Sequence, residues 1–187
     1  MKRLIALMMA FMLCLPALAE TAPAEDAPDA AELLSPFEIA LPAEVTALTT
    51  PGSSSVTFVH ENGTTRAVAQ VLSRVPDPQG DHAAELMRLM ALFAPDAQDV
   101  TPLAMAEGFH GLMALTPDAL DGMKGARVDQ ATVMVLWQTA ERGELLIISV
   151  YDLSDVTDNA RALLNLLTRS VTVEGTPVVE PTKAPVK

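Results

Sequence analysis

Apolar residues recur along residues 36–175 in two distinct periods, and the switches between them mark out the elements. In "PFEIALPAEV", Phe37, Ile39 and Leu41 alternate with Glu38 and Ala40, a period of two that predicts a half-buried strand ended by Pro42. "PGSS" at 51–54 is a turn. In "FVHENGTTRA", Asn62-Gly63 is the preferred pair for a two-residue type I′ hairpin loop, because both central positions need positive φ. That loop places Phe58 opposite Ala67, Val56 opposite Ala69 and His60 opposite Thr65. One face then collects Val56, Phe58, Ala67, Ala69 and Val71, and the other Thr57, Glu61, Arg66 and Gln70. Small Ala67 and Ala69 leave room for a helix close to the sheet. "DHAAELMRLMALF" supplies one, capped by Asp81, with Ala83, Leu86, Met90 and Phe93 at helical spacing.

"TPLAMAEGFHGLMALTP" predicts a second hairpin turning near Glu107-Gly108. "ATVMVLWQTA" and "ELLIISVYDL", joined at "ERG", predict a third. Their near-continuous apolar character marks central strands covered on at least part of both faces. "TDNARALLNLLTRS" is an amphipathic helix that buries Ala160, Leu163, Leu164 and Leu167, with Asp158 in its first turn and Arg169 in its last, as the helix dipole favours. A short strand, "VTV", follows.

Hairpin strands with two or so inserted helices define a single α+β domain, mainly an antiparallel β-sheet with helices packed against it. The early "FEIALP" strand, the successive hairpins and the closing helix that runs into "LLTRSVTV" resemble the Mog1/PsbP-like fold, including its bacterial exported members of unknown function. The resemblance spans nearly all of the folded region. It implies an architecture; members of that group differ in role, so it implies no activity.

The two ends read differently from this middle. "MKRLIALMMAFMLCLPALAE" has a basic start at Lys2 and Arg3, an apolar run broken by Pro16, and a small-x-small site that places signal-peptidase cleavage between Ala19 and Glu20. Residues 1–19 are therefore expected to be a signal peptide and the protein to be exported: secreted, periplasmic or envelope-associated. Cys14 is preceded by "FML" and followed by Leu15, which argues against a lipoprotein signal. Residues 20–35, rich in Ala, Pro and acid, are expected to form a disordered spacer, and 176–187 a flexible proline-containing tail.

Cleavage after Ala19 leaves about 168 of the 187 residues, one domain by length and large enough to bury ~70% of its unfolded surface. It also removes Cys14, the only cysteine, and with it any disulfide, thiolate nucleophile or cysteine-ligated metal. The net charge of −12 falls to −14 when Lys2 and Arg3 leave. Such a surface repels nucleic acid and anionic lipid. No nucleic-acid partner and no stable membrane insertion after cleavage are expected.

Chemistry is sparse. The histidines, His60, His82 and His110, fall on separate elements and form no H-x-x-x-H or H-x-H pair of zinc ligands. His60 and Glu61, adjacent on a strand, point to opposite faces. His82 and Glu85 share one helix face, where the ordinary role of Glu85 is electrostatics at the helix start. No G-x-S-x-G, Walker A, G-x-G-x-x-G or EF-hand pattern occurs; "DALDGMKG" lacks the alternating oxygen ligands of a calcium loop and is read as a mobile connection. One Trp and one Tyr are too few for the aromatic cleft of a glycosidase, and Trp137 and Tyr151 are read as core residues of the third hairpin. Asn62-Gly63-Thr64 has the form of a glycosylation sequon, empty in a bacterial protein. These features specify no catalytic residue, no cofactor and no metal ligand. The pattern points to a non-enzymatic exported binding or accessory domain that engages a protein or small ligand, with His60 as the binding-face candidate because it extends the inward row of Val56 and Phe58. An exported hydrolase with scattered His and carboxylate residues, and a metal-binding exported protein, are the alternatives.

Overall fold

Wherever apolar side chains alternate, the chain pairs into antiparallel ladders, and the helices close over the apolar faces this creates. The computed structural model describes residues 27–120, 127–152 and 159–180. In chain order its elements are α1 (Ala30–Leu34), β1 (Phe37–Ile39), β2 (Val45–Leu48), β3 (Ser55–His60), β4 (Thr65–Arg74), α2 (His82–Phe93), β5 (Thr101–Pro102), β6 (Phe109–Leu120), β7 (Arg127–Gln138), β8 (Gly143–Asp152), α3 (Asn159–Arg169), β9 (Val171–Val173) and β10 (Thr176–Pro177). Seven strands form one sheet in the order β2-β3-β4-β8-β7-β6-β5, and β1-β9-β10 form a second, smaller one. Every pairing is antiparallel.

The large sheet has apolar layers on both sides. On one face Val56, Phe58, Ala67, Ala69, Val133, Val135, Leu146, Ile148 and Val150 pack with Leu163, Leu164 and Leu167 of α3, Leu34 of α1, and Phe37, Val171 and Val173 of the small sheet. On the other, Leu112, Ala114, Met134, Leu136, Leu145 and Ile147 pack with Leu86, Leu89 and Met90 of α2. Strands β7 and β8 lie inside both layers, which is why they read as continuous apolar runs. Each fully buried Leu or Ile contributes roughly 1.5–3 kcal/mol, so this double layer holds the domain together.

The expected α+β class, the three hairpins, the Asp81 cap and the buried face of α3 all match. The Asp81 side chain accepts from the Ala84 amide at 3.0 Å, and Ala160, Leu163, Leu164 and Leu167 are each at most 4% exposed. Gly108 has φ +84° at the tip of the second hairpin, where the Phe109 amide donates to the Ala106 carbonyl.

Several details depart from expectation. The register through Phe58–Ala67 and Val56–Ala69 is as predicted, but the loop is wider than a type I′ turn. Gly63 donates its amide to the His60 carbonyl at 2.9 Å with φ +72°, and Asn62 keeps negative φ. The type I′ pair is instead Glu174-Gly175, with φ +52° and +76°, between β9 and β10. Ala67 and Ala69 lie beneath α1 and α3, while α2 covers the opposite face. The buried stripe of α2 is Leu86, Leu89 and Met90; Leu86 and Met90 match expectation, while Ala83 and Phe93, on the same side but at the two ends of the helix, are exposed.

Order also extends beyond 36–175. Within the stretch read as spacer, α1 forms with its cap Asp29 and buries Leu34. Past 175, β10 pairs with β9, Val178 is fully buried and Val179 bridges to Met105. These apolar residues are too few to show a period, and only the tertiary contact orders them. The expected export signal with Cys14 and its expected Ala19–Glu20 cleavage point, residues 121–125 of "DALDGMKG", and Asp158 lie outside the described residues, whereas Asp118 to Leu120 of that stretch end strand β6.

Candidate functional site

His60 ends β3 on the same face as Val56 and Phe58, as the alternation requires, and is half-buried. The hairpin tip is fixed by its own polar groups. The Asn62 amide donates to Nδ1 of His60 at 3.2 Å. Oδ1 of Asn62 accepts from the amides of Thr64 and Thr65, each at 3.0 Å, and its Nδ2 donates to Oγ1 of Thr65 at 2.9 Å. Because Nδ1 of His60 accepts, the neutral ring carries its proton on Nε2. The adjoining edge strand is tied in by the Glu61 amide, which donates to the carbonyl of Glu44 at 2.8 Å.

Between this tip and α3 lies an open cleft of about 320 Å³, lined by Glu44, His60, Asn62 and Thr65 on one side and Ala162, Leu163 and Leu166 on the other. One wall is polar and one apolar. Among the described residues no side chain pairs with the Glu44 carboxylate. Leu166 is 41% exposed, off the buried stripe of its helix. The cleft therefore offers a hydrogen-bond donor at His60, a carboxylate at Glu44 that no described side chain pairs with, and an apolar shelf, a set suited to binding an amphipathic molecule. Of these residues the sequence reading singled out His60 alone. An exposed leucine breaking the polar face of "NARALLNLLTR" was the available signal for α3; Glu44 had none, because its position depends on how the edge strand meets the tip.

The other two histidines meet on the opposite face of the sheet. His82 opens α2 and His110 lies near the start of β6, and their ring centroids are 4.4 Å apart with planes tilted by 46°. Nδ1 of His82 is buried and has no hydrogen-bond partner among the described residues. Burial, and then the positive charge that His82 can carry, hold His110 below the ordinary histidine range. Glu85 is not a third member, since its carboxylate pairs with Arg74 across to β4. Among the described residues no three side chains of His, Cys, Asp or Glu are grouped to hold a metal ion.

Trp137 and Tyr151 do not touch. Trp137 pairs with Glu144 and faces the α3 side under the Arg142 guanidinium, 5.7 Å from the ring centre, whereas Tyr151 pairs with Gln130 on the α2 side. Among the described residues no helix is long and apolar enough to cross a membrane.

No protein-family model and no curated protein matches the chain. Among solved structures it is similar to the crystal structure of LpqN, involved in cell envelope biogenesis of Mycobacterium tuberculosis, with a TM-score of 0.53 and 15% sequence identity over 73% of this chain and 82% of that one. At such identity the likeness is one of fold.

Proposed function

We propose that this protein is an exported accessory domain of the bacterial cell envelope that binds a small amphipathic ligand in the cleft between the hairpin tip and α3. The observation that carries this reading is the placing of Glu44, whose carboxylate no described side chain pairs with, opposite the exposed leucine shelf of α3 across one cleft. Glu44 selects a head group that is cationic or rich in hydroxyls and repels a carboxylate. Leu163 and Leu166 take the apolar body. The envelope setting is supported by the signal-like start of the chain with its Ala19–Glu20 site, and by the fold it shares with a cell-envelope protein. The Mog1/PsbP-like architecture belongs to the same reading, supported by the order of hairpins and the closing run from helix α3 into β9.

A thermal-shift panel tests it. Octylamine and an octyl glycoside raise the melting temperature by mass action, and octanoate, nucleotides and divalent metals do not. No response to either amphiphile, or an equal response to octanoate, contradicts the reading.

A further inference from the structure

The two long helices differ in what they show to solvent. Apart from Leu166 at the cleft, helix α3 puts polar Arg161, Asn165 and Arg169 outside, as an amphipathic helix does. Helix α2 is apolar on both sides. Behind its buried Leu86, Leu89 and Met90, its outward face carries Ala84, Met87, Ala91 and Leu92, with Met87 49% and Leu92 68% exposed, and Phe93 at the end of the helix is 39% exposed. Arg88 is its one exposed charge. Leaving three large apolar side chains in water on one 12-residue helix has no role in holding the sheet.

Exposed acids flank this helix in the chain on both sides. Asp77 and Asp81 precede the helix; Asp96 and Asp99 follow it. Asp81 has a structural role, capping the helix. Asp96 and Asp99, past the C-cap Ala94, cap nothing and gain nothing from the negative end of the helix dipole. The order along the chain is acid, an apolar helix of about 18 Å, acid.

We infer that the outward face of α2 is a docking surface for a partner protein that presents an amphipathic helix with an apolar middle and Lys or Arg at both ends. The charges complement such a helix in either direction. They oppose a second copy of this chain, since antiparallel or parallel pairing brings acid against acid. They oppose an anionic lipid surface for the same reason. A strip one helix wide implies a weak, transient contact, with a Kd in the micromolar range.

The test uses two fluorescein-labelled 14-residue helical peptides with the same Leu/Ala middle, one ended by Lys and the other by Glu, titrated with the purified protein and followed by anisotropy. The Lys-ended peptide is expected to bind and the Glu-ended one not. Leu92→Glu is expected to weaken binding at least tenfold, and the pair Asp96→Lys and Asp99→Lys several-fold, with circular dichroism unchanged because all three positions are exposed. Equal binding of both peptides, or binding unchanged by Leu92→Glu, overturns the inference. So does either of two alternative occupants: self-association in sedimentation, or binding to phosphatidylcholine vesicles, that Leu92→Glu abolishes.

Discussion

The imidazole of His110 lies 4.4 Å from that of His82, centroid to centroid, although one belongs to β6 and the other opens α2. Burial and the neighbouring ring make His110 take up its proton at lower pH in the folded chain than in the unfolded one, where the ordinary value is 6.5. A base with a depressed folded pKa favours the folded state above its unfolded pKa, and that advantage is lost as pH falls. Stability is therefore expected to decline as pH drops below about 6.5. Urea midpoints at pH 8, 6.5 and 5 check this: the wild-type protein should lose more over that range than His110→Gln. Identical losses would show that the pair does not couple protonation to folding.

The hairpin tips make opposite predictions for one residue type. Asn62 satisfies two backbone amides and Thr65 at the first tip, so Asn62→Ala is expected to destabilise by about 1–2 kcal/mol. Glu174 holds φ +52° at the second, a conformation that asparagine tolerates better. Glu174→Asn should stabilise by about 0.5 kcal/mol, because Asn-Gly suits a type I′ loop. Denaturant titration of both variants measures this.

Why the sequence misplaced that turn is instructive. Asn62-Gly63 carries the pair preferred for type I′, yet the Asn62 side chain bonds forward to Thr64 and Thr65 and sets a wider loop around His60 to Gly63. Both loops share one register, so the inward face of Phe58 was legible even though the turn was not. Strong periods carried through: the buried side of α3 and the central strands β7 and β8 match expectation. Short or weakly patterned pieces did not. Leu34 and Val178 acquire their role from contact alone, and on α2 the spacing found Leu86 and Met90 but missed Leu89, because a helix apolar on both sides blurs the edge of its buried stripe. The cleft was half legible, since His60 could be placed on a face but nothing in the sequence brings Glu44 and Leu166 to it.

Neighbouring leucines of α3 separate core from cleft. Leu164 is 1% exposed and Leu166 41%. Leu164→Ala should cost about 2–5 kcal/mol, whereas Leu166→Ala should change stability by less than about 0.5 kcal/mol. Melting curves of the two variants test the assignment, and comparable losses would place Leu166 in the core.

Binding at the cleft is the central claim, and calorimetric titration of octylamine into three proteins tests it most directly. The wild-type protein should bind; Glu44→Gln should weaken binding about tenfold, the loss of one charge-assisted contact of about 1.4 kcal/mol; and Leu166→Asp should abolish it, with folding intact in each. Octylamine binding that is unchanged by both substitutions, or absent from the wild-type protein, would contradict the account.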